Sequence, residues 1–219
     1  NLELTNAYAT IANLGKYHKP IFYTKVLDRN GNLLIDNTDP KETAVLKETT
    51  AWLLTSAMKD VMNFGTGTRA NFSGMSVAGK SGTTTKDRDT VFAGFTPYYT
   101  AAIWGGYDDN TPQGSTTYSK NIWRQVMSRI HEDRENKEFE KPDGIVSHAV
   151  CKKSGKLAIE GVCNADPRGS MVYTEYFASG TVPTESCDHH TTGTICNLSG
   201  LPASDFCPEE NRQTSVFMT

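Results

Sequence analysis

The run Ser76-Val77-Ala78-Gly79-Lys80-Ser81-Gly82-Thr83-Thr84 begins apolar and then sets a Lys, a hydroxyl, a Gly and a second hydroxyl in succession. Placed on a strand, that order suits the capture of a carboxylate. The Lys supplies a fixed positive charge and the hydroxyls supply hydrogen bonds. Gly removes the side chain that would stop a substrate from pairing with the strand edge. Taken alone, Lys80-Ser81-Gly82 also reads as an ordinary solvated turn, so its neighbours have to choose between the two.

Downstream of a polar loop come two further strand-like segments, Val91-Phe92-Ala93-Gly94-Phe95-Thr96-Pro97 and Thr100-Ala101-Ala102-Ile103-Trp104-Gly105-Gly106-Tyr107-Asp108. Upstream lie Leu2-Glu3-Leu4 and Ala7-Tyr8-Ala9-Thr10-Ile11-Ala12-Asn13-Leu14-Gly15. Over roughly residues 1 to 135, and in the same order, these segments resemble the transpeptidase domain of class A penicillin-binding proteins, which cross-link bacterial peptidoglycan. In that family the third motif is Lys-Thr-Gly, and Ser81 keeps the hydroxyl at its middle position.

The resemblance implies an α+β fold, an antiparallel sheet flanked by helices as in penicillin-binding transpeptidases and serine β-lactamases, lacking its upstream half. An irregular, disulfide-containing tail follows. The expected division is 1–141 for the transpeptidase part and 142–219 for the tail.

Local signals order the first part. Leu4, Ala7, Tyr8, Ile11 and Ala12 recur at helical spacing, and Gly15 is placed to end that helix. Pro20 to Leu27 reads as a strand, Asp28-Arg29-Asn30-Gly31 as a turn, and Leu33, Leu34 and Ile35 as the return strand. Thr49 or Thr50 is the expected cap of a helix running to about Met62, with Trp52, Leu53, Ala57, Val61 and Met62 as its buried face. Three adjacent antiparallel strands are predicted around 75–85, 90–96 and 98–106. A last amphipathic helix, capped by Ser119, carries Ile122, Trp123, Val126, Met127 and Ile130, and the charge-dense segment from His131 to Lys141 reads as its frayed, solvated end.

All five cysteines lie in the tail, between Cys151 and Cys207. Cys151-Lys152-Lys153-Ser154-Gly155-Lys156-Leu157-Ala158 aligns with Cys196-Asn197-Leu198-Ser199-Gly200-Leu201-Pro202-Ala203. An acidic residue follows each, Glu160 and Asp205, and then a second cysteine, Cys163 and Cys207. The repeat predicts two short disulfides, Cys151–Cys163 and Cys196–Cys207, with Cys187 free; reduced thiols in a loose tail are the alternative. Cys187-Asp188-His189-His190 suggests metal, but the sequence shows no second spaced ligand pair, so no metal site is expected.

The family also needs a Ser-x-x-Lys nucleophile and a Ser-x-Asn partner, and both patterns occur misplaced. Ser56-Ala57-Met58-Lys59 lies only about two dozen residues before Lys80, and Ser119-Lys120-Asn121 comes after it. The nucleophile is therefore expected outside this chain, in an upstream half of the same protein that is either a separate chain or absent, which would leave this chain inert alone. A helix that starts at Asn1 is read as the mark of a chain cut from a longer one.

By the resemblance, Lys80 and Thr83 are catalytic, and Ser81, Gly82 and Thr83 bind a stem peptide ending in D-Ala-D-Ala, or a β-lactam that mimics it. Asp89, in the loop beside them, matches an acidic position the family tends to have. No cofactor is implied. The implied location is the outer face of the bacterial cytoplasmic membrane, with the anchor upstream. A serine β-lactamase, a carboxypeptidase or a non-catalytic wall-binding module are the alternatives.

Composition narrows the classes. The net charge of -3 and pI near 6.0 leave no electrostatic footprint for nucleic acid. At 37% hydrophobic residues and a mean hydropathy of -0.48, no apolar run approaches the ~18 residues of a membrane span.

Overall fold

The computed structural model describes residues 1–218. Contacts divide the chain into two units, Asn1–Asp143 and Gly144–Thr219.

The first unit is built around a three-stranded antiparallel sheet. In chain order its elements are α1 (Leu2–Ala12), β1 (Lys16–His18), β2 (Lys25–Leu27), β3 (Leu33–Asp36), β4 (Glu42–Ala44), α2 (Glu48–Phe64), β5 (Ala78–Thr83), β6 (Asp89–Phe95), β7 (Thr100–Gly106) and α3 (Tyr118–Ile130). The sheet order is β5-β6-β7, which leaves β5 at an edge. Two small antiparallel pairs, β1 with β4 and β2 with β3, stand apart from it.

Each face of the sheet carries its own core. On one, Met62, Ala70, Val77, Phe92, Trp123 and Met127 bury each other, joining α2 and α3 to the strands. On the other, Met58, Ala78 and Phe95 pack with Tyr8, Ile11, Ala12 and Phe139. The strand sequences alternate accordingly: Ala78 opposes Phe95 across the ladder, and Ser81 opposes Phe92. Gly94 is required by close approach, since a Cβ there would lie 2.9 Å from Trp123 Cζ2 and 2.9 Å from the Ala78 carbonyl oxygen.

The Asp28–Gly31 turn forms as predicted. The Asp28 carboxylate accepts from the backbone N–H groups of Asn30 and Asn32, and Gly31 takes φ +83°. Only Lys25–Leu27 of the expected 20–27 strand pairs, and a further short strand, Lys16–His18, pairs with Glu42–Ala44, a partnership invisible to local reading.

Gly15 ends the α1 region with φ +85°, its N–H bonded to the Thr10 carbonyl (2.8 Å). A Cβ at this position would lie 2.5 Å from the Leu46 carbonyl oxygen. Gly15→Ala combines that backbone collision with a left-handed φ and should cost roughly 2 kcal/mol. An unchanged denaturant midpoint would show that the α1–β1 turn opens freely.

Several helix expectations are corrected. α2 is preceded by Lys47 and starts at Glu48, with no side-chain cap from Thr49 or Thr50. Its buried face is Ala51, Thr55, Met58 and Met62, of which only Met62 was expected; Ala57 is exposed, and Trp52, Leu53 and Val61 are only partly covered. Thr55 can be buried because its hydroxyl donates to the Ala51 carbonyl one turn back (2.9 Å). Ser119 does not cap α3. The helix begins after Thr117, and the buried Ser119 hydroxyl bonds Thr90 of β6 (2.9 Å).

Nor is 131–141 a frayed end. His131 is buried, bonding Thr96 Oγ1 (2.8 Å) and the Met127 carbonyl (2.6 Å). Phe139 stacks edge-on against Phe95. Glu138 takes both the Lys59 ammonium (2.7 Å) and the Ser76 hydroxyl (2.9 Å), which hold its carboxyl below the usual range.

The second unit holds two antiparallel ribbons, β8 (Ile145–Cys151) with β9 (Val172–Ala178) and β10 (His190–Cys196) with β11 (Arg212–Met218). Both copies of the cysteine repeat fold alike. Gly155 and Gly200, at φ +71° and +69°, turn the chain so that their N–H groups bond Cys151 and Cys196 carbonyls, each at 2.8 Å.

Candidate functional site

β5 presents Lys80, Ser81, Gly82 and Thr83 on the open edge of the sheet, paired on its other side with β6 from Ala78↔Phe95 to Thr83↔Thr90. Just beyond the strand, Thr84 N–H bonds the Asp89 carbonyl (3.1 Å). Hydrogen-bonded pairs alternate along an antiparallel ladder. Gly82 and Lys80 therefore turn their backbone groups toward β6, while Ser81 and Thr83 turn theirs toward the free edge. The Lys80 ammonium uses one of those edge groups, donating to the Ser81 carbonyl (2.7 Å).

Side-chain alternation places Lys80 and Gly82 over the face that packs on α1, and Ser81 and Thr83 over the face that packs on α3. The four thus converge only along the rim, where an extended ligand lying beside β5 would meet all of them. Ser81 donates to Thr66 Oγ1 (3.1 Å), and Lys120 of α3 reaches the Thr66 carbonyl (3.3 Å). Those contacts bring the Gly65–Gly67 loop and a second ammonium to the rim, an association the sequence did not signal. A Cβ on Gly82 would meet only Val91 Cβ, at 3.8 Å, so this Gly keeps space open rather than relieving a clash.

The loop after the strand is internally clipped. Asp89 accepts from the Thr84 hydroxyl (2.9 Å), while that hydroxyl accepts from the Asp89 N–H (2.8 Å). Arg88 reaches the Asn110 carbonyl (2.9 Å). Asp89 therefore shapes the turn at the end of β5. Of the misplaced motif matches, Ser56 and Lys59 share α2, but the Lys59 ammonium is held by Glu138.

In the tail the structure separates the two repeat copies. Cys196–Cys207 is a disulfide with Cα atoms 5.9 Å apart. The expected Cys151–Cys163 bond is absent: Cys151, Cys163 and Cys187 are all free and buried. The sequence offered no second ligand pair for Cys187 and His190, yet folding supplies one. The Sγ atoms of Cys151, Cys163 and Cys187 and a ring nitrogen of His190 lie within 4.8 Å of one another. Burial pushes the Cys163 thiol up to about 11. Burial also raises Cys187, but hydrogen bonds from Ser154, His190 and the His189 backbone outweigh it and bring it to about 6. The clue available in sequence was that the odd cysteine, Cys187, is followed three residues later by His190.

Comparison with known proteins accounts for both units. Residues 1–128 match the family model described as the penicillin binding protein transpeptidase domain, and residues 141–192 match the penicillin-binding protein 1A C-terminal domain. Penicillin-binding protein 1A of Clostridium perfringens is 41% identical over 190 residues, covering 86% of this chain and 23% of the relative. The chain thus spans about a quarter of such relatives.

Among solved structures, penicillin-binding protein 1A from Haemophilus influenzae shares the fold at a TM-score of 0.67 and 23% identity, covering 85% of this chain and 33% of that one. PonA1 from Mycobacterium tuberculosis in complex with penicillin V matches at 0.57 and 28% identity, covering 64% of this chain and 40% of that one. With its Lys80-Ser81-Gly82-Thr83 edge strand and the match over residues 1–128, the chain belongs to the penicillin-binding protein transpeptidase family.

Proposed function

We propose that these residues form the C-terminal part of a peptidoglycan D,D-transpeptidase whose serine nucleophile lies in the upstream part of the same protein. The observation that carries this reading is the free edge of β5, where the Thr83 N–H points outward beside the Lys80 ammonium. The upstream serine attacks the penultimate D-Ala carbonyl of a stem peptide, the carbonyl becomes a tetrahedral oxyanion, and its collapse expels the terminal D-Ala. An amine from a neighbouring strand then attacks the serine ester, forming the cross-link and freeing the serine.

In this scheme Lys80 supplies positive potential and a hydrogen bond to the hydroxyl of an upstream Ser-x-Asn element. Ser81 and Thr83 hold the substrate's terminal carboxylate. The Thr83 N–H is one oxyanion donor and the nucleophile's own N–H the other; such a donor is worth ~3 kcal/mol in the transition state. β-Lactams acylate the same serine because they mimic the D-Ala-D-Ala end. The reaction places the protein on the wall side of the cytoplasmic membrane, anchored through an upstream segment. Among the described residues no helix is long and apolar enough to cross a membrane.

An exposed apolar surface supports an upstream partner. An open apolar groove of about 770 Å³ lies between α1 and the β1 region, lined by Leu2, Ile11, Phe22, Val45 and Leu46 among others. Phe22 is 80% exposed. An apolar surface of this kind would suit packing against an upstream part of the same protein.

Labelling the full-length protein with penicillin tests the reading. Persistent acylation supports a transpeptidase, rapid turnover a β-lactamase, and no labelling a wall-binding module. Residues 1–219 alone should form no penicillin adduct, and a mass shift on Ser56 in that chain would overturn the assignment of the nucleophile to the upstream part.

A further inference from the structure

The three free cysteines and His190 are arranged as a closed set of metal ligands. All four are buried, with Cys151 and Cys163 at 0% exposure and Cys187 and His190 at 5%. His190 Nδ1 lies 3.4 Å from Cys151 Sγ and 3.3 Å from Cys187 Sγ. Zinc bonds of ~2.3 Å to sulfur and ~2.0 Å to nitrogen, at tetrahedral angles, would set ligand atoms roughly 3.5–3.8 Å apart. The two nitrogen–sulfur distances already match that spacing to within about 0.2 Å, and all four ligand atoms lie within 4.8 Å of one another.

The surroundings point the same way independently. His190 Nε2 meets the Asp166 carboxylate at 2.9 Å, and both side chains are almost fully buried. Asp166 is itself fixed by the Arg168 guanidinium (2.6 Å) and the Arg168 N–H (2.9 Å). Donation of the Nε2 proton to Asp166 leaves the lone pair on Nδ1, directed at the sulfurs. A carboxylate behind a histidine is the usual support of a metal-binding imidazole. Each sulfur also accepts a backbone N–H: Lys153 to Cys151 (3.4 Å), Ile159 to Cys163 (3.3 Å) and His189 to Cys187 (3.4 Å). Those bonds favour thiolates.

We propose that Cys151, Cys163, Cys187 and His190 bind one Zn²⁺ as a structural site. Binding forms three Zn–S bonds and one Zn–N bond and releases to solvent whatever protons the thiols still carry; nothing is oxidised or reduced. Four protein ligands leave no open position, so the ion serves folding rather than catalysis. The apolar cluster around it consists of these cysteines with partly buried Ala158, Ile159, Met171 and Val172, too little to hold the β8–β9 ribbon to the start of β10 without a further clip. The second repeat copy, which has no such histidine, is clipped by the Cys196–Cys207 disulfide.

The test uses residues 1–219 purified without added reductant. Elemental analysis should find one zinc per chain after dialysis. Cobalt(II) added to the metal-free chain should give the intense visible bands of tetrahedral coordination with thiolate-to-metal charge transfer. Cys163→Ser and Cys187→Ser should abolish stoichiometric zinc, whereas His190→Cys, which keeps four soft ligands, should retain it. Asp166→Asn should still load one zinc but yield it to a competing chelator at ~10–100-fold lower concentration. The cobalt spectrum of the unmutated chain decides the matter even if a variant fails to fold. The proposal is overturned by an octahedral cobalt spectrum, by zinc content unchanged in both cysteine variants, or by a disulfide joining any two of Cys151, Cys163 and Cys187 in the purified protein.

Discussion

Lys80→Ala in the full-length protein should slow penicillin acylation about 100-fold while leaving thermal stability nearly unchanged. The rate effect follows from the role proposed for Lys80, a charged donor to the reacting groups, worth ~3 kcal/mol in the transition state. The stability expectation follows from position. Lys80 is exposed on an edge strand, and its ammonium rests on the carbonyl of its own neighbour, Ser81. Its loss opens no cavity and leaves no buried charge behind, so the change should stay within ~0.5 kcal/mol. Acylation would be followed with a fluorescent penicillin under single-turnover conditions, beside a melting curve of the same preparation. Unchanged acylation with a large drop in melting temperature would give Lys80 a packing role and remove it from the chemistry.

What the sequence revealed about this site was its strand, because strand signals are local. The run from Val77 to Thr83 and its return through Phe95 carry their alternation within a few residues, and Asn30-Gly31 names its own turn. Contacts that close over long separations left no such trace. Trp52 and Ala57 were as plausible on the inner face of α2 as Ala51 and Thr55, since only the position of the sheet distinguishes them. His131, in a run of charges, is buried because Thr96, 35 residues earlier, offers it a hydroxyl. The cysteine cluster was hidden for the same reason. The repeat matched Cys163 to Cys207 in sequence, but Cys187 and His190, outside the repeat, compete for Cys151 and Cys163 in space.

Trp123 is where the packing behind the rim is concentrated, and Trp123→Ala should cost about 3–5 kcal/mol. Its side chain is fully buried, its ring meets Phe92 edge-on at 5.0 Å, and its indole N–H donates to the Ala101 carbonyl (2.9 Å). Truncation would therefore leave a large apolar void on one side of β6 and remove the partner ring of Phe92. Phe92 is the cross-strand neighbour of Ser81, so the disturbance would reach the free edge of β5 through one strand. Trp123→Phe keeps most of the ring volume and loses chiefly the hydrogen bond and part of the packing, so its cost should fall nearer 1–2 kcal/mol. Denaturant unfolding of the first unit, with penicillin acylation measured on the same variants, separates the two effects. A loss under ~1 kcal/mol for the alanine variant would mean that α3 is not what holds β6 in place, and that the rim is supported from the α1 face, through Phe95 and Met58.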